Sequence, residues 1–243
     1  MLSCEYALAM HRKKLHMKII LFGATGMVGQ GVLRECRLDP EIKTVLVVGR
    51  TPLNQQSEKL QEIVFKDLYT LAPIEDQLRG YDACFFCLGV SSAGMKEADY
   101  QHVTYDLTLG VAQTLAKLNP EMTFIYVSGM GTDSTEKGRS MWARVKGKTE
   151  NALLRLPFKT AYMFRPAFIQ PMHGIKSKTK LYRILYYLIS PLTAFLTGYF
   201  PKYATTTEKL GHAMIIVAKQ GAPKPILESQ EINAICSPGL SRT

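Results

Sequence analysis

Met17-Lys-Ile-Ile-Leu-Phe-Gly-Ala-Thr-Gly-Met-Val-Gly29 decides how this chain is read. A short apolar run, Ile19 to Phe22, enters a loop carrying Gly23, Gly26 and Gly29. An amphipathic stretch follows, with Val28, Val32 and Cys36 at helical spacing. Strand, glycine turn and helix in that order set a dinucleotide pyrophosphate on a helix N-terminus, where free backbone N–H groups and the helix dipole favour an anion. Gly23 permits the tight turn, Gly26 lets the backbone approach the phosphates, and Gly29 lets the helix lie close on the strand. Thr25, Met27 and Val28 complete the loop. The competing reading is an ordinary strand-to-helix turn.

Outward from this turn the pattern alternates. Strands are expected at Lys18–Phe22, Thr44–Val48, Glu62–Lys66, Ala83–Leu88, Met122–Val127 and Thr160–Phe164. Their unbroken apolar runs suit a parallel sheet covered on both faces. Helices are expected at Met27–Leu38, Leu71–Leu78, Glu97–Leu118 and Ser140–Leu154, with Thr51 to Gln61 polar and weakly helical. In the longest helix Val103, Leu107, Val111, Leu115 and Leu118 form one apolar stripe. This predicts an α/β fold, a doubly wound parallel sheet of the NAD(P)-binding Rossmann kind. The domain reading is a loose extension over residues 1–16, the Rossmann domain over 17–166, a small helical C-terminal substrate region over 167–236 and a frayed tail over 237–243. The C-terminal region is expected over the carboxyl ends of the strands, where such folds bind ligands.

The bulk numbers bound the answer. A chain of 243 residues that is 47% hydrophobic makes one large domain with an ordinary core. Residues 1–16 lack the apolar core of a secretory signal. Leu181 to Phe200 is apolar, but Arg183, Pro191 and Gly198 interrupt it, which favours two short helices over a membrane span. Contact with a membrane surface is the alternative there. Tyr182, Tyr186, Tyr187, Phe195, Tyr199 and Phe200 read as core or dimer packing before pocket lining. Cys84 and Cys87 form C-x-x-C inside an apolar run, where strand alternation points them apart, so they read as buried small hydrophobes. The expected compartment is the cytoplasm. The five histidines, His11, His16, His102, His173 and His212, show no ligand spacing, and no metal is expected.

The net charge of +10 is unevenly placed. From Asn151 to Thr207 there is no acid, yet Arg155, Lys159, Arg165, Lys176, Lys178, Lys180, Arg183 and Lys202 stand there. Such a field suits an anionic partner or a solvated basic face. No nucleic-acid module is visible.

Several residues at strand ends carry chemistry. Arg50 follows the second strand, where dinucleotide folds read the adenosine ribose; arginine there pairs with a 2′-phosphate, which favours NADP over NAD. Asp67, ahead of Leu68, is placed either to contact the adenine amino group or to cap a helix. Cys87-Leu88-Gly89 follows the fourth strand and leaves room for the nicotinamide half. Ser128 ends the fifth strand, where a hydroxyl polarises a substrate carbonyl or alcohol. Trp142 and Lys146 lie one turn apart on one helix face.

Gly23-Ala-Thr-Gly-Met-Val-Gly29, Ser128, an aromatic-x-x-x-Lys pair and Phe164-Arg165-Pro166 together resemble the extended and atypical short-chain dehydrogenases/reductases. That superfamily includes the NAD-dependent epimerase/dehydratase groups. Cys87-Leu88-Gly89, Val145-Lys146-Gly147, Phe164-Arg165-Pro166 and Leu227-Glu228-Ser229 resemble most closely the Tat-interacting-protein-like oxidoreductases, from Met17 to about Ile235. The resemblance implies cofactor contacts at Arg165 and Pro166. It also implies a catalytic Ser-Tyr-Lys set, in which the lysine holds the ribose and lowers the tyrosine pKa. Ser128 and Lys146 match; Trp142 stands where the tyrosine belongs. An indole N–H donates a hydrogen bond but does no acid–base work near neutral pH, and proton transfer is worth about 10² to 10⁴-fold. Ser128, Asp133, Tyr100, Tyr105 or a water are the substitutes open at this point.

Two functions follow. One is an NADP-dependent oxidoreductase passing hydride to or from a small carbonyl or alcohol, with sugar-nucleotide epimerisation as a variant. The other is a dinucleotide-sensing regulator or scaffold without turnover. The partners implied are a dinucleotide and an anionic or carbonyl small molecule, with a homodimer and weak membrane-surface contact as further options.

Overall fold

The computed structural model describes residues 16–175 and 203–236. The expected helices within Leu181–Phe200, most of the N-terminal extension and the C-terminal tail lie outside those residues.

Six strands in the expected order form the body of a parallel sheet: β1 (Met17–Phe22), β2 (Ile42–Gly49), β3 (Leu60–Val64), β4 (Ala83–Phe86), β5 (Thr123–Val127) and β6 (Thr160–Arg165). The spatial order is β3-β2-β1-β4-β5-β6, so the chain reverses direction across the sheet between β1 and β4. Alternation along each strand feeds two cores. Ile19 and Leu21 of β1, Phe85 of β4 and Phe164 of β6 pack on one face with α1 (Met27–Leu38). Ile20, Phe22, Phe86 and Tyr126 pack on the other with a 3₁₀ helix (Ala72–Leu78) and the long helix that precedes β5. Cys84 lies in the second core and Cys87 packs on the first, as strand alternation requires.

The sequence reading needs correction at several places. β3 sits two residues earlier than expected, because its register is set by β2: Val45 faces Leu60 and Gly49 faces Val64. The stretch read as weakly helical is irregular and ends in this edge strand. β4 stops at Phe86, since the chain must turn where the Gly23 backbone crosses Cys87. The expected Leu71–Leu78 helix is a 3₁₀ turn with a proline in its first residues. The helix expected over Glu97–Leu118 is α2 (Glu97–Gln101), a π-helical turn (His102–Asp106) and α3 (Leu107–Leu118). Helix α4 (Met141–Leu153) follows β5 as expected.

The C-terminal part also differs in its elements. β7 (Phe168–Gln170) pairs with β8 (Ala204–Thr206), both parallel, next to the carboxyl end of β6. Helix α5 (Thr207–Gln220) packs along α1 on a sheet face, so it does not lie over the strand ends. β9 (Ile226–Glu228) joins β6 in parallel as a seventh strand, and α6 (Ser229–Ile235) closes the described chain. Three residues without a long apolar run gave this strand no periodic signal.

Candidate functional site

The glycine turn is built as its spacing demands. Gly23 has φ +83°, a left-handed value that suits glycine, and a Cβ there would lie 2.6 Å from the Cys87 carbonyl carbon. A Cβ on Gly29 would stand 2.1 Å from the Gly23 oxygen, so glycine alone lets α1 rest on the loop. Gly26 is the N-cap of α1 and contributes no side-chain hydrogen bond, leaving the N-terminal N–H groups facing the cleft without an internal cap.

That end of α1 opens into a cleft of about 640 Å³ at the reversal point between β1 and β4. Gly23, Thr25, Gly26, Met27 and Val28 border one side, with Arg50 at one end. Cys87, Leu88 and Gly89 border the opposite side. Ser128, Trp142, Lys146 and Pro166 stand at the far end, with Val90, Met130, Ala167 and Ile169, which sequence reasoning did not single out. A smaller lobe of about 360 Å³ adds Leu68, Val47, Gly49 and Thr51 around Arg50. Gly29 lies beneath the loop.

Two expected cofactor residues turn elsewhere. Asp67 accepts from the Tyr69 backbone N–H at 3.0 Å, closing its own turn, and the next helical element is capped by Leu71 instead. Arg165 is buried and donates from Nε to both oxygens of Glu150 at 3.1 Å, and from Nη2 to Ser134 Oγ at 2.5 Å. Its Nη1 also reaches Glu228 at 3.5 Å. Strand alternation sets this direction: Phe164 faces the α1 core, so Arg165 faces α4 and the acid there.

Glu150 is the residue that sequence reasoning missed. It has no exposed surface, and its charge is matched by Arg165. It also accepts from Ser128 Oγ at 2.5 Å. The serine proton expected to face a substrate is thus engaged inside the protein. The signal was present in the spacing: Trp142, Lys146 and Glu150 recur every four residues along α4, so an acid stands on the stripe that borders the cleft.

Lys146 donates from Nζ to the Ser128 backbone oxygen. Burial pulls its pKa down to about 8, with Glu150 acting in the opposite sense. Trp142 packs its ring against the turn at Gly131, where a Cβ would lie 3.4 Å from Cη2.

A cleft at the reversal point, an uncapped glycine-rich helix start and a cation where the adenosine ribose is read fit a nicotinamide dinucleotide. The fold is the doubly wound parallel Rossmann fold that the sequence reading expected. No family model matches the chain. Among named proteins it is 26% identical over 213 residues to Protein FMP52-2, mitochondrial, of Scheffersomyces stipitis, covering 86% of this chain and 89% of that one. It is 28% identical to Protein HTATIP2 of Rattus norvegicus over 65% of this chain and 64% of that one. Among solved structures, Gre2 of Candida albicans in complex with NADPH superposes with TM-score 0.65 at 13% identity, covering 87% and 78% of the two chains. The Bordetella bronchiseptica enzyme WbmF in complex with NAD+ superposes with TM-score 0.63 at 13% identity over 91% and 78%. The yeast relatives are named as mitochondrial proteins, which overturns the expectation of a cytoplasmic one.

Proposed function

We propose that this chain is an NADP-preferring oxidoreductase of the atypical short-chain dehydrogenase/reductase type, acting on a small carbonyl or alcohol held at the Trp142–Lys146 end of the cleft. The observation that carries the reading is the single cleft lined at one end by Arg50 and the glycine turn and at the other by Lys146 and Trp142. Arg50 would pair with a 2′-phosphate, the start of α1 would hold the pyrophosphate, and Lys146 would hold the ribose. A bound reduced nicotinamide would supply hydride; the residues of this chain bind, orient and exchange the proton.

A second reading has its own support. Trp142 replaces the tyrosine and the Ser128 hydroxyl is engaged by Glu150, which suits a protein that senses dinucleotide without turnover. The two are separated by titrating NADPH and NADH against Trp142 fluorescence, then assaying NADPH oxidation with simple aldehydes. Saturable energy transfer, tighter for NADPH, together with turnover supports the oxidoreductase. Binding without turnover, and turnover appearing only in Trp142→Tyr, supports the sensor. Absence of binding by calorimetry overturns both.

A further inference from the structure

On the oxidoreductase reading the cleft has to exchange a proton with its substrate, and its described lining holds few groups able to do so. Among the described lining residues the side chains that titrate are Arg50, Cys87 and Lys146. Arg50 stands at the adenosine end, among Val47, Gly49 and Thr51. Burial pushes the Cys87 thiol far up, so it remains neutral.

The four side chains open as substitutes at the level of sequence are removed one by one. The Ser128 hydroxyl donates its hydrogen bond to Glu150. Asp133 is absent from the cleft lining, and its two oxygens accept from Thr135 and from the Gly138 backbone at 2.6 Å. Tyr100 is buried at 2% exposure away from the cleft. Tyr105 lies under the Lys148 ammonium, 4.5 Å from its ring centre, and does not border the cleft either.

We propose that Lys146 itself exchanges the proton with the substrate oxygen, in place of the tyrosine that this chain lacks; the role rests on the oxidoreductase reading above. Its amine sits at the reacting end, anchored on the Ser128 carbonyl and one turn from Trp142. In the reducing direction the carbonyl carbon accepts a hydride from a reduced nicotinamide, which is oxidised. The C=O π pair moves to oxygen, and that oxygen takes a proton from the ammonium. One N–H bond breaks and one O–H bond forms, leaving a neutral amine that regains its proton from water.

The groups that surround this amine let it do so near neutral pH. Glu150, one turn along the same helix, favours the charged form but is shared with Arg165 from β6. Cys87 at the end of β4 is uncharged. Burial outweighs these and brings the amine to about 8, close to the operating pH where a general acid works best.

The first test needs no turnover. Trace acetylation with acetic anhydride across pH, read residue by residue by mass spectrometry, should give Lys146 a titration midpoint near 8. A midpoint at the ordinary lysine value of about 10.4 overturns the proposal. The second test follows NADPH oxidation with 4-nitrobenzaldehyde at saturating NADPH. The wild-type rate should be flat at lower pH and fall above about 8, and the reverse reaction with alcohol and NADP should rise through the same point. Lys146→Arg keeps a cation but cannot release its proton, so it should lose about 10² to 10⁴-fold in kcat while NADPH still quenches Trp142. A Lys146→Arg protein that keeps the wild-type rate overturns the role of Lys146 alone. A wild-type protein that binds NADPH and reduces nothing overturns the oxidoreductase reading, and the role of Lys146 with it.

Discussion

Ser128 borders the cleft, yet its hydroxyl is turned onto Glu150, donating to Oε1 at 2.5 Å. The acid is fully buried and is held on its other side by Arg165. A hydroxyl fixed in this way positions the strand end and the backbone carbonyl on which Lys146 rests. The buried ion pair is therefore the foundation of the Lys146 end of the cleft.

Removing one member of that pair should be far worse than removing both. Glu150→Ala leaves Arg165 desolvated and should cost about 3–5 kcal/mol, while Ser128→Ala should cost only about 1 kcal/mol. Replacing Arg165 by Met in the Glu150→Ala background should recover much of the loss. Urea midpoints for the three variants check this; equal costs for the single and double variants would count against it.

Arg50 should set the choice of dinucleotide. Arg50→Ala removes a charge-assisted contact worth about 1.5–3 kcal/mol, or roughly ten- to a hundredfold in NADPH affinity, and should leave NADH affinity within a few-fold. Calorimetry with both dinucleotides reads the difference, and a parallel loss for both would remove the phosphate-reading role.

Gly29→Ala places a carbon 2.1 Å from the Gly23 oxygen, both on backbone that cannot yield cheaply. The helix must lift from the loop, at a cost of about 1–3 kcal/mol or more. Thermal melting and NADPH titration should fail together. A variant with a lower Tm and intact binding would show that the loop keeps its shape without the contact.

Stability should depend on pH through Lys146. Its folded pKa of about 8 lies below the ordinary 10.5, so between those values the folded state binds fewer protons than the unfolded chain. Stability then rises with pH through that window, and the unfavourable contribution is fully present below about 8. Lys146→Met should be relatively more stable at pH 7 than at pH 10. Measuring both proteins at each pH cancels the other titrating groups, and a constant difference would contradict the shift.

Much of this was legible in the sequence because it rests on short-range periodicity. The Gly23, Gly26 and Gly29 spacing announced the turn, and runs such as Val45 to Val48 and Ala83 to Phe86 announced strands buried on both faces. Arg50 and Lys146 could be placed because each lies at or near a strand end or on a readable helix face. What failed depends on partners far apart along the chain. The link from Arg165 to Glu150 joins a strand end to a helix. β9 spans three residues and exists because β6 offers it a pairing edge. The π-helical turn at His102–Asp106 left no mark on the apolar stripe that spans it.

That last strand has a consequence for biosynthesis. Until Ile226–Glu228 leaves the ribosome, the backbone groups of β6 on that side lack their final partner. A nascent or truncated chain ending before it presents Thr160–Arg165 as an open, largely apolar edge able to recruit strands from other molecules. Shortened forms of this protein should therefore be aggregation-prone even when every residue of the dinucleotide cleft is present.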